Sequence, residues 1–109
     1  MNKDFSAVIL SAGFSSRMHD FKPLLEIGGV PAVGRLVNGF YHAGLKEIIV
    51  VVGHRHAEIE QYLQTLPAEI QQTVKIKYNP VYAEGMYTSV QAGVSAVNLN
   101  SKGFFMLPV

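Results

Sequence analysis

The chain predicts an α/β fold, a mainly parallel sheet with helices on both faces, and three observations lead there. Short continuous apolar runs at Ala7–Leu10 and Ile48–Val52 have the composition of strands buried on both faces. Between such runs apolar residues recur at helical spacing, so strand and helix readings alternate along the chain and imply right-handed crossovers. The length of 109 residues, 49% of them apolar, suffices for one packed core but not for two.

Each element has its own local warrant. Ser6 to Leu10 is the first strand. Pro31 suits the first position of a helix, where its missing N–H costs nothing. Val33, Leu36, Val37, Phe40 and Leu45 then form an apolar stripe, with Gly44 as the C-cap. Glu47–Gly53 is the second strand, and Ala57–Leu66 the next helix, with Ile59, Tyr62, Leu63 and Leu66 inward and Pro67 at its end. Val74–Tyr78 alternates and belongs nearer a sheet edge, whereas Asn79–Gly85 is a loop before a helix from about Tyr87 to Val97. Gly103–Val109 has the pattern of a central strand. That hydrophobic pattern is still running at the last residue, so residues 1–109 read as a portion of a single larger domain.

Composition removes several classes of function. Nine basic against eight acidic residues give a net charge of +1, which provides no electrostatic case for nucleic acid or an anionic membrane. With no cysteine there are no disulfides, thiolate metal sites or cysteine nucleophile, a composition that fits a reducing cytoplasm. No apolar stretch approaches the roughly 20 residues that span a bilayer, and no signal-peptide pattern follows Met1.

Ligands of such sheets bind beyond the carboxyl ends of the strands. The segments Leu10–Lys22, Gly53–His56 and Asn79–Gly85 all fall on that edge. The first supplies Gly13, the hydroxyls of Ser15 and Ser16, and two cations, Arg17 and Lys22. Two readings are open: a polyphosphate cradle, or an ordinary turn with a solvated Arg17 and a packed Met18. The chain lacks both a G-x-G-x-x-G fingerprint and a Walker A lysine-serine/threonine ending. In the cradle reading Arg17 offers bidentate donors and Lys22 a mobile point charge.

The stretch Leu10-Ser11-Ala12-Gly13-Phe14-Ser15-Ser16-Arg17-Met18 and the following Lys22-Pro23-Leu24-Leu25 resemble the first loop of the MobA-like nucleotidyltransferases. A second match, Asn79-Pro80, Glu84-Gly85-Met86, Ser89-Val90 and Gly93, resembles their molybdenum cofactor cytidylyltransferase-like branch. The resemblance runs over essentially all of the chain. It implies a Rossmann-like sheet of the nucleotide-diphospho-sugar transferase type, of which residues 1–109 are the N-terminal, nucleotide-binding portion. It also implies that an acceptor phosphate or hydroxyl attacks the α-phosphate of a nucleoside triphosphate, CTP by the likeness of the second motif, with Mg2+ as cofactor. Molybdopterin is the acceptor implied, with sugar phosphates, alditol phosphates and phosphocholine as alternatives. A nucleotide-binding or regulatory module without transfer chemistry is the competing reading.

Carried over residue by residue, the resemblance puts the Leu10, Ser11, Ala12 and Gly13 backbone along the base. Ser15, Ser16 and Arg17 position phosphates, and Lys22, with Arg17, acts on the charge developed in transfer. Gly85 and Met86 lie near base or ribose, while Asn79 and Ser89 order the second loop. Ser11 departs from the usual alanine or glycine, adding a hydroxyl beside the base. His19-Asp20 stands where the family has glycine and a variable residue. The family's metal-holding aspartate would follow Leu107-Pro108-Val109, so no metal ligand is assigned within the chain. His54-Arg55-His56 reads as a solvated turn, an acceptor contact or, lacking a third ligand, an incomplete metal set. Tyr78, Tyr82 and Tyr87 read as wall and packing residues, and His42 as a helix-surface or capping group.

Overall fold

The computed structural model describes residues 4–13 and 22–109. Four strands, β1 (Phe5–Leu10), β4 (Glu47–Val52), β5 (Val74–Tyr78) and β6 (Gly103–Pro108), form one parallel sheet in the order β5-β4-β1-β6. Between β1 and β4 lie a 3-10 turn (Lys22–Leu24), a small antiparallel hairpin of β2 (Glu26–Ile27) and β3 (Val30–Pro31), and helix α1 (Ala32–His42). Helices α2 (His56–Leu63) and α3 (Ala68–Gln71) join β4 to β5, and α4 (Met86–Ala96) joins β5 to β6.

The sheet is covered on both faces. Ala7 and Ile9 of β1 and Ile48, Val50 and Val52 of β4 pack with Val33 and Val37 of α1, Ile59 and Leu63 of α2, and Ile70 of α3. The alternate residues Val8, Leu10, Ile49 and Val51 face α4 through Val90, Ala92 and Ala96. Every residue of β4 is buried, the environment its unbroken apolar run calls for. Gly93 lets α4 lie directly on the sheet: a Cβ there would stand 2.5 Å from Val8 Cγ1 and 3.2 Å from Val51 Cγ2.

Local signals placed most boundaries within a residue or two. Pro31 is the N-cap of α1 rather than its first residue. Ala43 is the C-cap, with Gly44 one position beyond it at φ 95°. The Gly44 N–H donates to Tyr41 O and the Leu45 N–H to Phe40 O, which closes the last turn. The second helix ends earlier than its apolar stripe suggests: α2 stops at Leu63, and Pro67 caps the separate short α3. Proline cannot continue a helix but fits its start, so the apolar pattern spans two helices.

The last strand differs in position. Its apolar residues predict a central strand, yet in the described sheet β6 pairs with β1 alone. Phe104, Phe105 and Leu107 remain 43%, 52% and 40% exposed, although Phe105 touches the rings of Phe5 and Phe40. The sequence pattern reports the apolar character of both faces correctly; it carries no information about which strand lies alongside.

The amino ends of the strands are fastened by Glu47. Its Oε1 accepts from Ser6 Oγ at 2.6 Å and from the Asn98 N–H at 2.9 Å, while Oε2 accepts from Lys75 Nζ. Burial pushes this carboxyl up, but the Asn98, Lys75 and Ser6 donors outweigh it and hold the group below its usual value. One carboxylate thus joins β1, β4, β5 and the turn after α4.

Candidate active site

The carboxyl ends of the strands carry the opposite arrangement, an open cavity. After β1 the chain proceeds outward through β4 to β5 and then returns to the other side of β1 as β6. The reversal therefore lies between β1 and β6, the place where open α/β sheets take ligands. A cavity of about 380 Å³ opens there. Leu10, Ser11, Ala12 and Gly13 form one wall, Tyr82, Ala83, Gly85, Met86 and Ser89 the other, with Lys22, Pro23 and Val109 completing it. The volume lies within the range of small-molecule sites.

The two sequence motifs, some 60 residues apart by chain, therefore meet across one space. Of the candidate residues, Leu10, Ser11, Ala12, Gly13, Lys22, Gly85, Met86 and Ser89 line it. Asn79 stands behind the wall. Ser15, Ser16 and Arg17, together with His19 and Asp20, lie outside the described residues.

The first wall is held by backbone pairing beyond the strand ends. Ser11 N–H donates to Val51 O at 2.9 Å, and Val109 N–H to Leu10 O at 3.0 Å. The Ser11 hydroxyl also donates to Val51 O, at 2.7 Å, so its proton is spent on β4 and only its oxygen's acceptor capacity remains for a ligand. The serine that departs from the family pattern thus has a structural bond of its own.

The second wall is ordered by Asn79. Its Nδ2 donates to Ser89 Oγ and Thr88 Oγ1, both at 2.9 Å, and its Oδ1 accepts the Val81 N–H at 3.1 Å. Thr88 Oγ1 in turn donates to Gly85 O at 2.7 Å. Gly85 has φ 124°, a conformation that side chains disfavour, and it begins α4 at the cavity wall. The helix N-terminus, with its partial positive charge, accordingly borders the cavity beside Lys22.

Residues that the sequence reading assigned no part in the site include Pro23, Ala83 and Val109 in the lining. Tyr82 was legible only as a wall residue, and it is one; Tyr87 instead is largely exposed at the start of α4. The His54-Arg55-His56 turn does not line the cavity. Arg55 pairs with Glu58, and the His56 ring lies 3.0 Å from Glu60 Oε2 and 4.6 Å from the Tyr78 ring. His42 ends α1 on its surface, its ring edge-on to Tyr41 at 5.2 Å.

Among the described residues, no three His, Cys, Asp or Glu side chains gather as a metal site, and the cavity wall carries no carboxylate. The described lining offers hydroxyl, backbone and ammonium groups and no set of acidic oxygens of the kind that takes a divalent ion. Nor is any helix among the described residues long and apolar enough to cross a membrane.

Comparison with known proteins bears on this geometry. The chain is 37% identical over 93 residues to the molybdenum cofactor cytidylyltransferase of Escherichia coli, covering 83% of this chain and 44% of that protein. It is 39% identical over 62 residues to the bifunctional protein GlmU of Symbiobacterium thermophilum, covering 55% of this chain and 13% of that one. A solved nucleotidyl transferase from Methanothermobacter superposes with a TM-score of 0.78 at 28% identity, over 95% of this chain and 49% of the other. The chain spans less than half the length of these curated relatives and about half that of the solved neighbour. The sequence profile of the MobA-like NTP transferase domain matches residues 7–109. The parallel sheet, the cavity at its reversal point and this nearly chain-long match agree: the chain belongs to the MobA-like NTP transferase domain family and has an NTP-transferase-type fold.

Proposed function

We propose that residues 1–109 form the nucleotide-binding portion of a single nucleotidyltransferase domain. In the reaction an acceptor phosphate or hydroxyl attacks the α-phosphate of CTP or another nucleoside triphosphate. The acceptor oxygen–phosphorus bond forms as the bond to the β-phosphate breaks, and pyrophosphate departs with the electron pair. The observation that carries this reading is the meeting of both sequence motifs, with Lys22, around one cavity.

In this reading the Leu10–Gly13 backbone borders the base, and Gly85 and Met86 approach base or ribose. Asn79 and Ser89 hold the second loop in shape. Lys22 neutralises the charge that grows at the α-phosphate, where a pre-positioned cation assists most in the transition state. Ser15, Ser16 and Arg17 are assigned to the phosphates by their motif. CTP and molybdopterin are favoured by the similarity to the Escherichia coli cytidylyltransferase. The cysteine-free composition fits a cytoplasmic setting, and family membership supports Mg2+ as cofactor.

A second reading is a nucleotide-binding module without transfer, to which the same cavity and loops would serve as a nucleotide site. One experiment separates the two. The full-length protein that contains residues 1–109 is titrated with CTP, GTP, UTP and ATP in the presence of Mg2+, and pyrophosphate release is followed with molybdopterin, sugar phosphates, alditol phosphates and phosphocholine. Binding with release supports transfer; binding without release across the panel supports the module; no binding removes both.

A further inference from the structure

The turn after β4 lies behind both walls of the cavity and touches each. On one side the His54 N–H donates to Ala12 O at 3.1 Å, in the first loop. On the other, Tyr82 rests on Gly53: a Cβ at position 53 would stand 2.7 Å from Tyr82 Cβ and 2.8 Å from its Cγ and Cδ1. These are the near atoms of the tyrosine, so it cannot yield by swinging its ring tip. The His54 ring lies 6.0 Å from the Tyr82 ring, inclined at 49°, and flanks the same side chain.

The turn itself is held firmly. His56 N–H donates to Gly53 O at 3.0 Å and Glu58 N–H to Arg55 O at 3.1 Å. Arg55 adopts a left-handed conformation at φ 55°, uncommon outside glycine, and its guanidinium grips Glu58 through both Nε and Nη2. A non-glycine residue held there marks a segment whose shape the surroundings dictate.

We propose that Gly53 and His54 are positioning residues of the cavity: the turn fixes Tyr82 and the first loop relative to each other, and thereby sets the separation of the two walls. The proposal deepens the nucleotide reading and rests on it for its ligand. Gly53 acts through Tyr82, and only a residue without a side chain lets the tyrosine sit against the strand end while its other side faces the cavity.

The test is a double-mutant cycle of Gly53→Ala and Tyr82→Gly. Affinity is measured for whichever of the four ribonucleoside triphosphates, with Mg2+, the parent chain binds most tightly, and the Tyr82 ring resonances are recorded by NMR without ligand. Gly53→Ala is expected to shift those resonances and to weaken binding at least tenfold when Tyr82 is present, but less than twofold when position 82 is glycine. An equal loss in both backgrounds, or unchanged Tyr82 resonances, overturns the proposal. Where Gly53→Ala alone does not fold, the double variant is expected to fold, because glycine at position 82 removes the Cβ and ring atoms that clash; its failure to fold also overturns it. If the parent chain binds no nucleoside triphosphate, the nucleotide reading fails, while the ring resonances still decide whether Gly53 positions Tyr82.

Discussion

Asn79 and Ser89, ten residues apart, are joined by a 2.9 Å bond between side chains that are 2% and 4% exposed. The amide simultaneously holds Thr88 and the Val81 N–H, so one residue ties the loop after β5 to the first turn of α4. Asn79→Ala removes all three bonds and leaves Ser89 buried without its donor. The expected loss is about 2–3 kcal/mol of stability, seen as a lower urea midpoint, because an unsatisfied buried partner adds to the bonds lost. Ser89→Ala is expected to cost less, about 1 kcal/mol, since Asn79 keeps Thr88.

Lys22 stands at the cavity rim with an exposed side chain. Lys22→Ala is expected to change stability by less than about 0.5 kcal/mol. In an assay of transfer its effect falls on turnover, lowering kcat by about 10²–10³ at saturating nucleotide, by analogy with removal of an oxyanion donor. Near-parental kcat, measured by pyrophosphate release, removes Lys22 from its assigned role.

Glu47 gives the fold a pH dependence of definite sign. Its carboxyl is lowered in the folded chain, so its stabilisation is fully present above the unfolded carboxylate value and is lost as pH falls through the folded one. Glu47→Gln should lower stability by about 1.5–3 kcal/mol at pH 7, the range for hydrogen bonds to a charged group. The gap between parent and variant should narrow on acidification. Urea unfolding of both proteins at neutral and acidic pH reads this directly; a gap that stays constant with pH contradicts it.

Gly93 allows α4 to touch β1 and β4. Gly93→Ala places a methyl group against Val8 and Val51, both of them fully buried, where neither has room to withdraw. The expected cost is about 1–3 kcal/mol, the range for overpacking a filled interior, although alanine is the better helix former. Thermal unfolding of the variant measures it.

The sheet and the cavity were legible in the sequence to different depths. β1 and β4 stood out because burial on both faces demands an unbroken apolar run, and Val8 to Leu10 and Ile48 to Val52 supply it. The first motif loop was visible through its glycine, hydroxyls and cations after such a run, and the second through its resemblance to the family's second motif. The hairpin at Glu26–Ile27 and Val30–Pro31 was not: two-residue strands have no period to detect. Gly53 read only as the end of a strand, for its role depends on Tyr82, which lies far along the chain and touches it only after folding.

The order β5-β4-β1-β6 also governs when the sheet can be completed. Phe5 pairs with Gly103 and Leu10 with Pro108, so β1 is flanked on one side by a strand far along the chain. During synthesis on a ribosome, β1, β4 and β5 have emerged before any residue of β6 is available, and that rim of β1 stays bare until β6 follows. Pairings so distant in sequence form slowly. The same residues that border the cavity, Leu10 and Val109, are among those that must wait for one another. A nascent chain therefore buries the contacts between β4 and its flanking helices first, and the cavity takes shape only when β6 pairs with β1.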